Sequence, residues 1–156
     1  MPAVQDTIRA ELLRSISEAA RVVTHARATS VALLDETTDE LVFVAAAGEA
    51  AEDITGCRFS SHEGLAGVVA HTGRPLEVRD LARDPRFAHD IAVETGYEPD
   101  AMTLVPVMSD GHVVGVLSVL DPDEPTDGSR AALSALAAHA VAGLDLSAAL
   151  ERTLMS

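Results

Sequence analysis

Six histidines and one cysteine are the residues of this 156-residue chain best suited to chemistry. His25, His62, His71, His89, His112 and His139 form no His-x-x-x-His pair, and no carboxylate cluster completes a zinc set, so no metal centre is expected. Cys57 has no CxxC partner, and Arg58 is its only positive neighbour, so it reads as a small half-buried strand residue rather than a nucleophile. Ser60, Ser61 and His62 precede Glu63. A serine three residues before a glutamate is the capping box of a helix start, which accounts for these groups better than a Ser-His-acid triad does. No catalytic residue is expected.

Eleven arginines, no lysine and 25 acidic residues give a formal net charge of -14. Such a surface repels nucleic acid, and the arginines, scattered from Arg9 to Arg152, build no compensating patch. The apolar runs Leu41 to Ala47 and Val113 to Leu120 fall far short of the roughly 20 residues of a membrane span. Met-Pro-Ala-Val-Gln-Asp has neither the basic flank nor the apolar core of a secretory signal, and a lone cysteine suits a reducing compartment, so a cytoplasmic protein is expected. The length suits one domain spanning 1–156, able to bury roughly 70% of its unfolded surface without staples.

Any site must be positioned by the elements that the hydrophobic pattern predicts. Val4, Ile8, Leu12, Ile16, Ala19 and Val23 recur at helical spacing, so an N-terminal helix over about 4–26 is expected. Thr29 to Leu34 and Leu41 to Ala47 flank a polar turn and read as a hairpin, whose first strand is apolar on both faces and so belongs inside a sheet. A short helix from about Ser61 to Thr72 is bracketed by the capping box and by Gly73, and Leu76-Glu77-Val78 is a brief strand. Leu81 to Ala101 is irregular, with a weak helix over about Pro85 to Glu94. Asp110-Gly111 turns a second hairpin, Met102 to Val107 and His112 to Leu120, in which Pro106 calls for an edge or a bulge. A long apolar and alanine-rich pattern predicts a terminal helix over about 127–152.

On this framework, Gly64-Leu65-Ala66-Gly67-Val68-Val69-Ala70-His71-Thr72-Gly73-Arg74-Pro75-Leu76 resembles the helix-and-strand signature of GAF domains. Asp84-Pro85-Arg86-Phe87, Leu104-Val105-Pro106-Val107 and Gly115 to Asp121 resemble later blocks of that family in their usual order. The resemblance covers roughly Gln5 to Leu154. It implies an α+β fold: a central six-stranded antiparallel sheet with helices on both faces, and a pocket between one sheet face and the short helices and loops.

For the site, the resemblance implies that Phe59, Leu65, Phe87, His89, Ile91, Tyr97, Met102, Thr103 and Ser118 contact a small molecule of unknown identity. Some GAF domains hold haem through a pocket-loop histidine, and His89 lies in the corresponding region. One histidine is thin support, so colourless protein without a Soret band is expected. Family members that reduce free methionine sulfoxide use several cysteines, bilin binders attach pigment in the pocket-helix region, and cyclic-nucleotide binders use a lysine-containing constellation. This chain departs from all three patterns. The reading is therefore a non-catalytic sensory module that pairs as a homodimer through its terminal helices and reports to a downstream signalling protein. The alternatives are a small-molecule redox enzyme and a ligand-free dimerisation scaffold.

Overall fold

In the computed structural model, residues 4–49, 51–87 and 98–155 are described. The N-terminal pattern folds as α1 (Val4–Thr24), but its buried stripe is Leu13, Ile16, Ser17, Ala20 and Thr24 rather than the one through Ile8, Ala19 and Val23. Val23 is 44% exposed. The helix can bury two hydroxyls because each finds an acceptor within its own helix: Ser17 Oγ donates to the Leu13 carbonyl at 2.9 Å and Thr24 Oγ to that of Ala20 at 2.7 Å. Thr29 Oγ donates to the Ser17 carbonyl at 2.5 Å and fastens the first strand to this helix.

The first hairpin is β1 (Ala28–Asp35) and β2 (Glu40–Gly48), followed by the single turn α2 (Ala51–Ile54), β3 (Arg58–Ser60), α3 (Gly64–Thr72) and β4 (Leu76–Val78). A 3-10 turn at Leu81–Arg83 precedes the second hairpin, β5 (Met102–Ser109) and β6 (His112–Leu120), and α4 (Asp127–Met155) closes the order. The six strands make one antiparallel sheet in the order β3-β2-β1-β6-β5-β4. β1 lies in the interior, as its two apolar faces require. Pro106 sits beyond the stretch of β5 that β4 covers, next to a register shift at Val107/Met108.

Strand alternation divides the core in two. On one face Val31, Val105, Val107, Leu117 and Val119 pack under α1 and α4. On the other, Ala32, Leu41, Phe43, Leu104 and Val116 pack against Leu65 and Val69 of α3. Leu12 packs on Gly143, and Val23 and Thr24 share a cleft with Leu133, so α1 and α4 run antiparallel. A Cβ at Gly143 would overlap the Leu12 side chain, so glycine sets how closely the two helices approach.

The helix start at α3 differs from the capping-box expectation. Glu63 is the N-cap, makes no side-chain cap bond, and the helix begins at Gly64, φ 67°. Ser60 Oγ accepts the amide of His62 instead, and Ser61 Oγ donates to Asp39 at 2.6 Å, so both hydroxyls are engaged before the helix begins. A Cβ at Gly67 would meet the Ser61 carbonyl at 2.8 Å, so this glycine lets the helix close on its own preceding turn. Gly73 ends the helix as expected, with φ 66° and its amide donating to the Val69 carbonyl.

Candidate functional site

The α3-side face of the sheet carries two buried hydroxyls in an otherwise apolar layer. Ser30 of β1 and Ser118 of β6 are register partners, and Leu104 of β5 flanks Ser118 on its other side. They are 3% and 6% exposed, and neither hydroxyl has a hydrogen-bond partner among the described residues. Met102 lies one same-face position further along β5 and packs, half-buried, against this cluster. An apolar floor with a few unspent polar groups is the usual composition of a small-ligand site.

The other predicted contacts divide sharply. Phe59 and Leu65 are buried within the core, Phe59 tilted against Phe43 with ring centroids 5.0 Å apart, so both serve packing. Phe87 packs half-buried against the same cluster. Thr103 is a correction. It is the cross-strand partner of Glu77 and, one residue from Met102 and Leu104, faces α1 and α4 on the opposite side of the sheet. His89, Ile91 and Tyr97, with most of the helix expected over Pro85 to Glu94, lie outside the described residues. Within its described part, Pro85 to Phe87 form a turn. Cys57 is half-buried beside the α3-side cluster.

The chain between Phe87 and β5 rejoins the sheet at a fixed point. Asp121, at φ 51°, accepts the amides of Asp100 at 2.8 Å and Ala101 at 3.0 Å through one carboxylate oxygen, and its own amide donates to the Ala101 carbonyl. On the near side Arg86 donates to Asp84 through backbone and guanidinium. These bonds hold the Asp84 carboxyl below the usual carboxylate range, the Arg86 guanidinium contributing most.

Sequence reasoning missed one polar group altogether. Asp39, at φ 56° in the β1–β2 turn, accepts from Ser61 and shares a 2.7 Å hydrogen bond with His62 Nε2, while the His62 and His71 rings stack at 4.5 Å. The hydrogen bond from Ser61, then that from His62, lowers the Asp39 pKa. Asp39 is more than twenty residues from both partners, so only the fold reveals the group. Among the described residues no cluster of three or more His, Cys, Asp or Glu is arranged to hold a metal ion, and no helix is long and apolar enough to cross a membrane.

The sheet order, the helix α3 set against one face and the paired terminal helices on the other can now be compared with known proteins. A family profile described as "GAF domain" matches residues 9–145. The chain belongs to the GAF domain family. GAF domains are in general small-molecule-binding sensory domains, and most are not catalysts. Over 64 residues this GAF domain is 34% identical to a probable 3',5'-cyclic phosphodiesterase, pde-5, of Caenorhabditis elegans. That match spans 41% of the chain and only 9% of the phosphodiesterase. Among solved structures, the GAF domain of a phosphoenolpyruvate-protein phosphotransferase from Coxiella burnetii superposes with a TM-score of 0.73 at 22% identity, covering 94% of this chain and 98% of that one. Free methionine-R-sulfoxide reductase from Neisseria meningitidis, in complex with its substrate, gives 0.73 at 19% identity, covering 94% and 89%. At these identities the two structures establish the fold of this GAF domain and nothing about its ligand.

Proposed function

We propose that this GAF domain is a non-catalytic cytoplasmic sensor whose small-molecule ligand rests on the floor formed by Ser30, Ser118 and Met102. The unpartnered serine pair is the observation that carries this reading. Both hydroxyls lie at nearly buried residues and have unused hydrogen-bonding capacity, so a ligand polar group that takes up both would gain two hydrogen bonds. Phe87, whose neighbours in sequence lead into residues 88–97, extends the floor with an aromatic edge. A single thiol in 156 residues cannot close a dithiol–disulfide cycle within the chain, which favours sensing over redox catalysis.

A ligand signals only through its different affinity for two arrangements, and the terminal helices are the element best placed to have two. We place a second copy of the chain against them, with a downstream protein as the receiver. Charge supports the second copy. Of the net -14, α1 with three arginines and three acids contributes nothing and α4 with two arginines and three acids contributes -1, leaving -13 on the rest. Glu11–Arg14 and Glu18–Arg21 pairs neutralise the flank of α1. An apolar groove between the helices, lined by Leu12, Ile16, Ala19, Leu136 and Ala142, is thus a face on which two such acidic molecules can approach without strong repulsion.

Native mass spectrometry of freshly purified protein tests the ligand. The expected result is a small-molecule adduct that is lost when Ser30 and Ser118 are both changed to valine. An adduct retained at full occupancy in that variant overturns the serine floor.

A further inference from the structure

A second cleft, of about 370 Å³, lies on the opposite side of the sheet from the serine pair, where the end of α1, the start of α4 and strands β4 and β5 meet. That volume falls within the range of small-ligand sites. Thr103 stands at its base, 4% exposed, and its hydroxyl has no hydrogen-bond partner among the described residues. Each wall is braced. Arg130 Nε and Nη2 donate to Glu77 at 2.8 and 2.9 Å, and Nη1 donates to Asp127 at 3.3 Å, so each nitrogen of this guanidinium has an acceptor. Across the cleft the amide of Asp123 donates to the Thr24 carbonyl at 3.0 Å, and its carboxylate shares a 2.8 Å hydrogen bond with His25 Nδ1. Thr126 and Ser129 cap each other at the start of α4, each hydroxyl accepting the other residue's amide.

The lining therefore has a sign. Glu77, Asp123 and Glu124 place three carboxylates around the cleft against the guanidinium of Arg130 and that of Arg79, which donates to the Pro122 carbonyl at 3.5 Å, and Glu124 has no partner among the described residues. The C-terminal end of α1 and the N-terminal end of α4 both meet the cleft, so their partial charges oppose each other and the side chains set the sign. Val23, Pro122, Pro125 and Leu133 supply apolar surface between the charged walls.

We infer that this cleft is a second small-molecule site, for an organic cation: an ammonium group on a short hydrocarbon, donating to the Thr103 hydroxyl while the hydrocarbon lies against Val23 and Leu133. It is independent of the serine floor. A cation held there joins α1 and α4 to strands β4 and β5.

The test is titration of the intact chain with n-butylammonium, n-butanol and butyrate, followed through the amide NMR shifts of Thr103, Asp123 and Ser129. The expected result is saturable shifts with n-butylammonium, and binding of the alcohol and the carboxylate at least about tenfold weaker, the value of one hydrogen bond or charge contact. Thr103→Val should weaken n-butylammonium by about tenfold, and Thr103→Ser, which keeps the hydroxyl, should bind as the parent does. Equal response to all three probes, shifts centred elsewhere, no saturable shift, or unchanged affinity in Thr103→Val would each overturn the site. None of these outcomes bears on the adduct expected at Ser30 and Ser118.

Discussion

Asp121 and Ala101 clasp each other: the carboxylate of Asp121 accepts the Ala101 amide at 3.0 Å, and the amide of Asp121 returns a 2.8 Å bond to the Ala101 carbonyl. The positive φ of Asp121 bends the end of β6 back onto the start of β5 and admits aspartate or asparagine more readily than most residues. Asp121→Ala should cost about 1–2 kcal/mol in chemical denaturation, because two backbone donors lose a charged acceptor. Asp121→Asn, which keeps an acceptor and tolerates the backbone, should recover a good part of that loss. Equal stability of all three proteins would show that the clasp contributes nothing.

Gly143 faces Leu12 where the terminal helices pack together. Gly143→Ala places a methyl group on the leucine, and the overpacking should cost about 1–3 kcal/mol. The neighbour is a flexible side-chain end, so Leu12→Ala in the same protein should relieve the clash, and the two changes should be less than additive. Strict additivity in a double-mutant cycle would place the two residues apart.

Asp39 provides a pH test. Its folded-state pKa is lowered by Ser61 and His62, so its contribution to stability is present above the unfolded carboxylate range and is lost as pH falls through the lowered folded value. Asp39→Asn should therefore lower the denaturation midpoint at pH 7, and the gap to the parent should close in acid, below the ordinary carboxylate pKa. A gap of the same size at pH 7 and pH 3 would exclude this linkage.

Ala138 and Ala142 are exposed on α4, and Ala142 lines the groove between the terminal helices. If a second copy seats there, changing both alanines to glutamate should abolish the dimer seen by sedimentation at micromolar concentration while leaving the fold intact. A monomeric parent, or a variant that dimerises as well as the parent, would exclude this groove as the interface.

Much of the fold was legible in the sequence because its signals are local. Asp110-Gly111 specifies a hairpin turn, Gly73 specifies a helix end, and the unbroken apolar run Val31 to Leu34 specifies an interior strand. The site was less legible because faces are set by register. Thr103 and Met102 are adjacent in sequence, yet the pleat sends them to opposite sides of the sheet. Ser30 passed unremarked, since its pairing with Ser118 joins residues 88 positions apart. The buried stripe of α1 was displaced for a related reason. A serine and a threonine that bond their own helix carbonyls can face a core that hydropathy alone would deny them.

Both outer strands of the sheet, β3 and β4, are only three residues long. β4 covers β5 only over Met102–Leu104, and the uncovered part carries Pro106, which has no amide hydrogen, and the register shift at Val107/Met108. An incoming strand from another molecule would meet a missing donor and then a local twist, two features that resist templated growth. Pro106 thus makes this uncovered edge a poor template for strand addition. Replacing it with valine would leave the native sheet a longer continuous edge, and the penalty would fall on solubility during storage or heating rather than on ligand binding.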